Sequence, residues 1–182
     1  MSLHGFRHTL SWSEDFTKLD EPPSGQEHLS AFTVAPAETF GGMEARYDSD
    51  SELYSLKSSS VKVKIQMKKS QSWVLKDSRT DQLLRHEQLH YNISALGGRD
   101  LERELKKLTA KTTEELRWKR GDLTSQLQGL VDQINDEYDS RILWGTDHGR
   151  IKLHQECWEL HIKKLMNDDT AKLESIYAIM RR

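Results

Sequence analysis

Cysteine is nearly absent. The chain has one, Cys157, among 182 residues, so no internal disulfide can form and no zinc site built on two or more cysteines is available. A lone thiol neither requires nor excludes an oxidising compartment. Long apolar runs are missing as well. Mean hydropathy is -0.78, and no stretch approaches the ~18 apolar residues that a membrane span needs. Neither sign of charge dominates: 27 Lys and Arg stand against 29 Asp and Glu, for a net charge of -2. With a pI near 6.5, no strong field favours nucleic acid. Lys62, Lys64, Lys68 and Lys69 form a small basic patch, which a solvated strand face explains. The opening "MSLHGFRHTLSW" holds no apolar core, so no signal peptide is expected there.

Proline is scarce and lopsided. Pro22, Pro23 and Pro36 all precede residue 77, and none follows. The composition suits one α+β domain, residues 1–182, β-rich over 1–76 and helical over 77–182. In the first part "VKVKIQMKK" (61–69) alternates Val61, Val63, Ile65 and Met67 with polar residues, the period of a strand with one buried face. "LSWSEDF" (10–16) and "HLSAFTVA" (28–35) are shorter strand candidates, and "EARYDSD" and "ELYSLKS" are candidates to pair with the 61–69 strand. In the second part Asp77, Ser78 or Thr80 can cap a helix carrying Leu83, Leu84, Glu87, Tyr91 and Ser94. Gly97 and Gly98 either end that helix or permit close packing. Leu101, Leu105 and Leu108 continue a stripe, and Leu123, Leu127, Leu130, Val131, Ile134 and Tyr138 make another. Residues 139–149 read as a loop. Ile151, His154, Trp158, His161, Ile162 and Leu165 mark a further helix, and "NDDT" (167–170) can cap a last one with Leu173, Ile176, Tyr177 and Met180 inward.

One stretch on the first of these helices carries chemistry. "LLRHEQLHYN" (83–92) sets His86 and His90 four residues apart, with Glu87 directly after the first. On a helix, i and i+4 share a face, so the two imidazoles converge on one point. This is the HExxH arrangement: two zinc ligands and a glutamate beside the open position. Zinc lowers the pKa of water from 15.7 to about 7, and Glu87 can take the proton and return it to a leaving amine. A shuffled chain of this composition would hold the motif in roughly 3% of cases. A polar helix turn with solvated histidines therefore stays open as the alternative.

A catalytic zinc needs a third protein ligand. Ile93 and Leu96 stand where a metzincin would have Gly and His, which excludes that class. Glu102, Glu114 or Glu115 can serve as a later glutamate, but nothing singles one out. His148, in "GTDHGR", is the better candidate, because a loop histidine swings toward a metal without distorting a helix. "HQECWELH" offers a rival set in His154, Cys157 and His161, although a helix face built around Trp158 accounts for it more simply.

Taken together, "LSWSEDF", "SAFTV", "VKVKIQMKKSQSWV", "LLRHEQLHYNI" and "YDSRILWGTDHGRIKLHQECW" resemble a bacterial family of predicted secreted zinc-dependent proteases, the domain of unknown function 922. The similarity runs over residues 10 to 158. Its most specific parts are the HEQ-x-H segment and the later series Tyr138, Asp139, Thr146, His148, Gly149, Gln155 and Trp158. The resemblance implies a zincin-like fold, a mostly antiparallel sheet followed by a helical half with the HExxH helix. It implies one zinc per chain, peptidase activity on a peptide or protein substrate, and a secreted or periplasmic location. His86 and His90 match the zinc ligands and Glu87 the catalytic glutamate. His148 matches the later motif histidine, whose use as third ligand is inferred from its chemistry here. A zincin holds extended substrate on a sheet edge, and the 61–69 strand or "QSWV" (71–74) can supply it. Tyr138 or His154 is a candidate donor to the oxyanion, and Asp139 or Gln155 can orient a zinc histidine.

Three readings follow. The first is a zinc metallopeptidase with metal ligands His86, His90 and His148, general base Glu87 and catalytic Tyr138. The second is a non-catalytic zincin-like module that binds a protein or cell-wall ligand, favoured by an occluded cleft or a fourth protein ligand. The third is a metal-free helical adaptor.

Overall fold

The structure is a computed structural model that describes residues 6–142 and 144–180, with residues 178–180 described by backbone alone. It is mixed α+β, small sheets followed by helices. The β-rich part comprises β1 (Thr17–Leu19), β2 (Ala31–Phe32), β3 (Ala37–Thr39), β4 (Ala45–Asp48), β5 (Leu53–Leu56), β6 (Val63–Ile65) and β7 (Trp73–Leu75). After it come α1 (Asp81–Leu105), a short β8 (Thr109–Ala110), α2 (Thr113–Asp139), α3 (Lys152–Asn167) and α4 (Ser175–Met180).

Three small sheets replace the single sheet expected. They are ordered β1-β7-β2, β3-β6 and β4-β5-β8. All pairs are antiparallel except β1 with β7. Residues 61–69 do not pair with the 45–56 region. Val63–Ile65 pairs with Ala37–Thr39, and β4 and β5 pair with each other. The third strand of that last sheet, β8, lies in the part read as wholly helical. "LSWSEDF" is a turn and not a strand. Asp15 takes the Ser11 N–H on its carboxylate at 2.8 Å, its own N–H donates to Ser11 O at 3.1 Å, and Trp12 and Phe16 meet edge to face. That i, i+4 contact belongs to a helical turn, where the apolar spacing looked like alternation.

Helix α1 is the axis of the molecule. Thr80 caps it, accepting the Leu83 N–H at 3.1 Å. Every residue from Ile93 to Glu102 is buried, so the helix is walled on all sides and is not amphipathic there. Gly97 and Gly98 do not end it. A Cβ on Gly97 would lie 2.3 Å from Val131 Cγ2 of α2, and one on Gly98 would lie 2.7 Å from Ile65 Cδ1 of β6. Missing side chains let α2 and the sheet approach from opposite sides, which offsets the ~1 kcal/mol that glycine costs in a helix. Leu101 and Leu105 thus belong to the same helix as His86. "NDDT" starts no helix. Asp168 Oδ1 instead takes the N–H groups of Thr170 and Ala171 in a turn, and α4 begins at Ser175 with Leu173 and Ile176 fully buried. The Met180 side chain lies outside the described residues. Among the described residues no helix is long and apolar enough to cross a membrane.

Candidate functional site

The first half of α1 turns His86, Glu87 and His90 toward a cleft of about 560 Å³. Its walls are the segment 28–36 and the last turns of α2, and His148 to Arg150 close one end. His86 is 1% exposed. His86 Nε2 and His90 Nε2 lie 3.2 Å apart, with the rings nearly perpendicular. Asp139, the last residue of α2, meets both: its Oδ1 is 3.0 Å from each Nε2. Oδ2 of the same carboxylate faces His148 Nδ1 at 3.5 Å. The ligand atoms of His86, Asp139 and His148 all lie within 4.8 Å of one another, a group able to hold a metal ion. Among the described residues His154, Cys157 and His161 form no such group.

His148 arrives because the loop after α2 folds back onto the helix end. Thr146 N–H and its hydroxyl both donate to Tyr138 O at 2.7 Å. Asp147 N–H donates to Ser140 O at 2.9 Å and His148 N–H to Asp139 O at 3.3 Å. These bonds satisfy carbonyls that a helix C-terminus leaves open. They also hold Asp147 and His148 at φ +49° and +51°, with Gly149 at +78°. Two consecutive non-glycine residues in the left-handed region store strain, which persists only where the surroundings enforce it. Gln82 adds a clamp from α1, its amide donating to Gly149 O at 2.7 Å.

Electrostatics tie the cluster together. Burial opposes charge on both helix histidines. For His86 it prevails and the pKa falls below the ordinary value. For His90 burial is outweighed by the Asp139 carboxylate, which raises the pKa from 6.5 to about 9. Burial pushes the Asp139 carboxyl up, but His90 and hydrogen bonds from the three histidines hold it well below the usual carboxylate range. Asn135, one turn before Asp139, has its Oδ1 2.9 Å from His90 Nδ1. An amide oxygen only accepts, so Nδ1 carries a proton and Nε2 faces the cluster.

Glu87 is 2% exposed and still lines the cleft. Its Oε2 accepts a hydrogen bond from Thr33 Oγ1 at 2.7 Å. Thr33 follows β2, an edge strand. Ser30 O accepts from Leu75 N–H at 2.9 Å, Val34 N–H donates to Ser72 Oγ at 2.9 Å, and Val34 O accepts from Lys68 N–H at 2.8 Å. Alternation leaves the main-chain groups of Ala31, Thr33 and Ala35 on the free edge. The extended segment beside the cleft is therefore 31–35, which begins as β2. Neither segment expected for this role lines the cleft, and β7 is central in its sheet.

Tyr138 is fully buried and does not line the cleft. Its ring stacks on His86 at 4.6 Å and 21°, and burial pushes its hydroxyl pKa well above the ordinary value. Its contacts with the site are that stacking and an edge contact with the His90 ring at 5.0 Å. His154 also lies away from the cleft, its Nδ1 2.8 Å from Gly145 O. Glu102 pairs with Lys106 and Glu115 with Lys119, and neither lines the cleft, nor does Glu114. Sequence reasoning placed Asp139 only behind a ligand and missed Asn135, Thr33 and His28, whose ring lies 5.5 Å from that of His148. Asn135 and Asp139 carried a local signal, two polar residues at i, i+4 on one helix face. Thr33 and His28 carried none. No family model, curated protein or solved structure matches this chain.

Proposed function

We propose that the protein is a zinc-dependent metallopeptidase or amidase with a zincin-like fold, related to the secreted protease family that its motifs resemble. The observation that supports it most is the packing of three donor atoms, His86 Nε2, His90 Nε2 and Asp139 Oδ1, at 3.0–3.2 Å from one another beside Glu87. Asp139 Oδ1 faces both imidazole nitrogens at 3.0 Å, so one carboxylate oxygen and two ring nitrogens converge on a single point. Ligands about 2.0–2.1 Å from a tetrahedral zinc stand roughly 3.3 Å apart. Two imidazoles, a carboxylate and a third imidazole are the donor types that zinc takes. His86, His90 and Asp139 would hold it, with His148 from the loop.

When bound, the ion supplies Lewis acidity that makes water a nucleophile near neutral pH. The remaining roles belong to the chain. Glu87 takes a proton from water as its oxygen attacks the scissile carbonyl carbon. It then passes that proton to the leaving nitrogen as the C–N bond breaks. Thr33 fixes the carboxylate for this, and Asn135 fixes the ring of His90. The free edge at Ala31, Thr33 and Ala35 aligns an extended peptide along the cleft. Export of the protein, which the resemblance implies, would put this chemistry on peptides outside the cytoplasm.

One observation favours the second reading, the non-catalytic binding module. His86, Asp139 and His148 form one group able to hold an ion, His90 Nε2 lies 3.0 Å from the same Asp139 oxygen, and structural zinc sites are closed by four protein ligands. The experiment that separates the two measures zinc by elemental analysis, locates it by anomalous diffraction, and follows hydrolysis of a mixed peptide pool by wild type and Glu87→Gln. One zinc, peptide cleavage, and its loss in the variant support the enzyme. Zinc with four protein ligands and no cleavage would establish the binding module instead. No zinc after soaking would remove both.

A further inference from the structure

His86 can ligate a metal through Nε2 only as the tautomer that carries its proton on Nδ1. That nitrogen is buried and has no hydrogen-bond partner. Its neighbour His90 has the equivalent nitrogen held by an amide oxygen, Asn135 Oδ1 at 2.9 Å. A second amide oxygen stands unused behind His86. Gln155, in the first turn of α3, is 2% exposed, and its Oε1 is buried without a partner. Its orientation is set from the other end of the amide, where Nε2 donates to Glu159 Oε1 at 3.0 Å and to Gln82 O at 3.3 Å.

Gly149 lies against both the Gln155 amide and the His86 side chain. A Cβ on it would lie 2.9 Å from Gln155 Oε1 and 3.1 Å from His86 Cγ. Both groups thus flank one stretch of backbone, where any side chain would crowd both. The other buried oxygens near His86 are badly placed for its Nδ1. Asp139 Oδ1 is on the Nε2 side of the ring at 3.0 Å. The Tyr138 hydroxyl belongs to a ring stacked nearly parallel to the imidazole, at 21°, while an Nδ1–H bond points along the imidazole plane.

We propose that Gln155 is the positioning residue of His86: its Oε1 accepts the Nδ1–H and so turns the Nε2 lone pair toward the metal. The proposal rests on the metal reading above and adds a residue to it. It makes the two helix histidines equivalent, each backed by one amide, from α2 for His90 and from α3 for His86.

The test uses the full chain loaded with zinc. Affinity is measured by competition with a chromophoric chelator for wild type, Gln155→Leu and Glu159→Gln. The His86 tautomer is read from a long-range 1H–15N spectrum of 15N-histidine protein. Gln155→Leu is expected to weaken zinc by about 10- to 100-fold, the usual range for a lost outer partner of a ligand. Glu159→Gln, which loosens the same amide but leaves the acceptor, should stay within a few-fold of wild type. The zinc-loaded wild type should show a protected His86 Nδ1–H that is lost in Gln155→Leu. Equal zinc affinity in Gln155→Leu would overturn the role of Gln155 alone, whereas no zinc in the wild type would overturn the metal reading as well. If Gln155→Leu does not fold, the wild-type spectrum decides: an absent or freely exchanging Nδ1–H signal would refute the proposal.

Discussion

Helix α1 buries charged and polar groups at both ends, and the two ends treat them differently. At the C-terminal end Arg99 is fully buried and its guanidinium donates to three backbone carbonyls, Leu165 O at 3.1 Å, Asp168 O at 2.8 Å and Ala171 O at 2.6 Å. Arg103 donates to Thr170 O and Ala171 O and pairs with Asp100, which in turn takes the Leu173 N–H at 2.7 Å. Only Arg99 Nε is left without a hydrogen bond, 3.8 Å from Asp100. At the N-terminal end His86 Nδ1, Gln155 Oε1 and the Tyr138 hydroxyl are buried without a hydrogen bond, and Asp139 Oδ1 faces two imidazoles at 3.0 Å. A nearly complete network fastens a loop. An incomplete one in a folded protein calls for something more to complete it. One end of the helix is structure, then, and the other carries a group that could hold a metal ion.

Substitutions can pull these two ends apart. Glu87→Gln is expected to have the largest effect, lowering kcat by roughly 10²- to 10⁴-fold, the range for loss of a general base. Thr33 can still donate to the amide oxygen, so the urea midpoint should stay close to wild type. A variant that keeps its activity would detach Glu87 from the chemistry. Arg99→Ala should do the reverse. It leaves the Leu165 and Asp168 carbonyls without their donor, and Ala171 O and Asp100 with Arg103 alone, and breaking a buried network of this kind costs about 3–5 kcal/mol. The loss should show in the urea unfolding curve, while the folded fraction binds zinc as wild type does. Equal damage to zinc affinity would mean that the two ends are coupled and the contrast is false.

Gly97 sits between the two ends and gives a smaller, mixed effect. Alanine there would put a methyl 2.3 Å from Val131 Cγ2, and overpacking of this sort costs about 1–3 kcal/mol. Because α2 carries both Asn135 and Asp139, pushing it outward should also loosen the proposed metal ligands. A modest loss of zinc affinity together with the lower unfolding midpoint, seen in the same titrations, would sharpen the picture of α1 as the spacer between halves. Unchanged affinity would show that the C-terminal turn of α2 adjusts on its own.

The parts of this molecule that were legible in the sequence are those with local causes. His86 and His90 share a face because they are four apart, Thr80, one of three cap candidates, caps because its side chain reaches its own helix, and the chain leaves the helix where apolar spacing stops, one residue later than the expected 139–149 loop. Gly97 and Gly98 were ambiguous, because their meaning depends on Val131 and Ile65 across two interfaces. The strands were the weak point. Ladders of two to four residues carry little alternation, and their pairing is decided by what α1 needs covered. The same applies to the site. Asp139 was visible as a polar helix end, but its place as a donor between two imidazoles depends on how α2 crosses α1. Thr33 and Glu87 stand 54 residues apart, and no pattern in the chain joins them.

That pair also provides the smallest effect and the finest test of the contrast. Thr33→Val removes one hydrogen bond to a carboxylate and keeps the shape, with a loss of about 1.5 kcal/mol at the low end for a charged partner. If the bond matters for aiming Glu87, kcat should fall about tenfold, since ~1.4 kcal/mol is a factor of ten, with KM little changed because the free main-chain edge is intact. Thr33→Ser should restore most of the rate, having the same hydroxyl. A fall in stability without a fall in kcat would place this bond with the Arg99 network, as fastening. A rise in KM instead would place Thr33 on the substrate side, where the edge strand and not the carboxylate is what its side chain keeps in register.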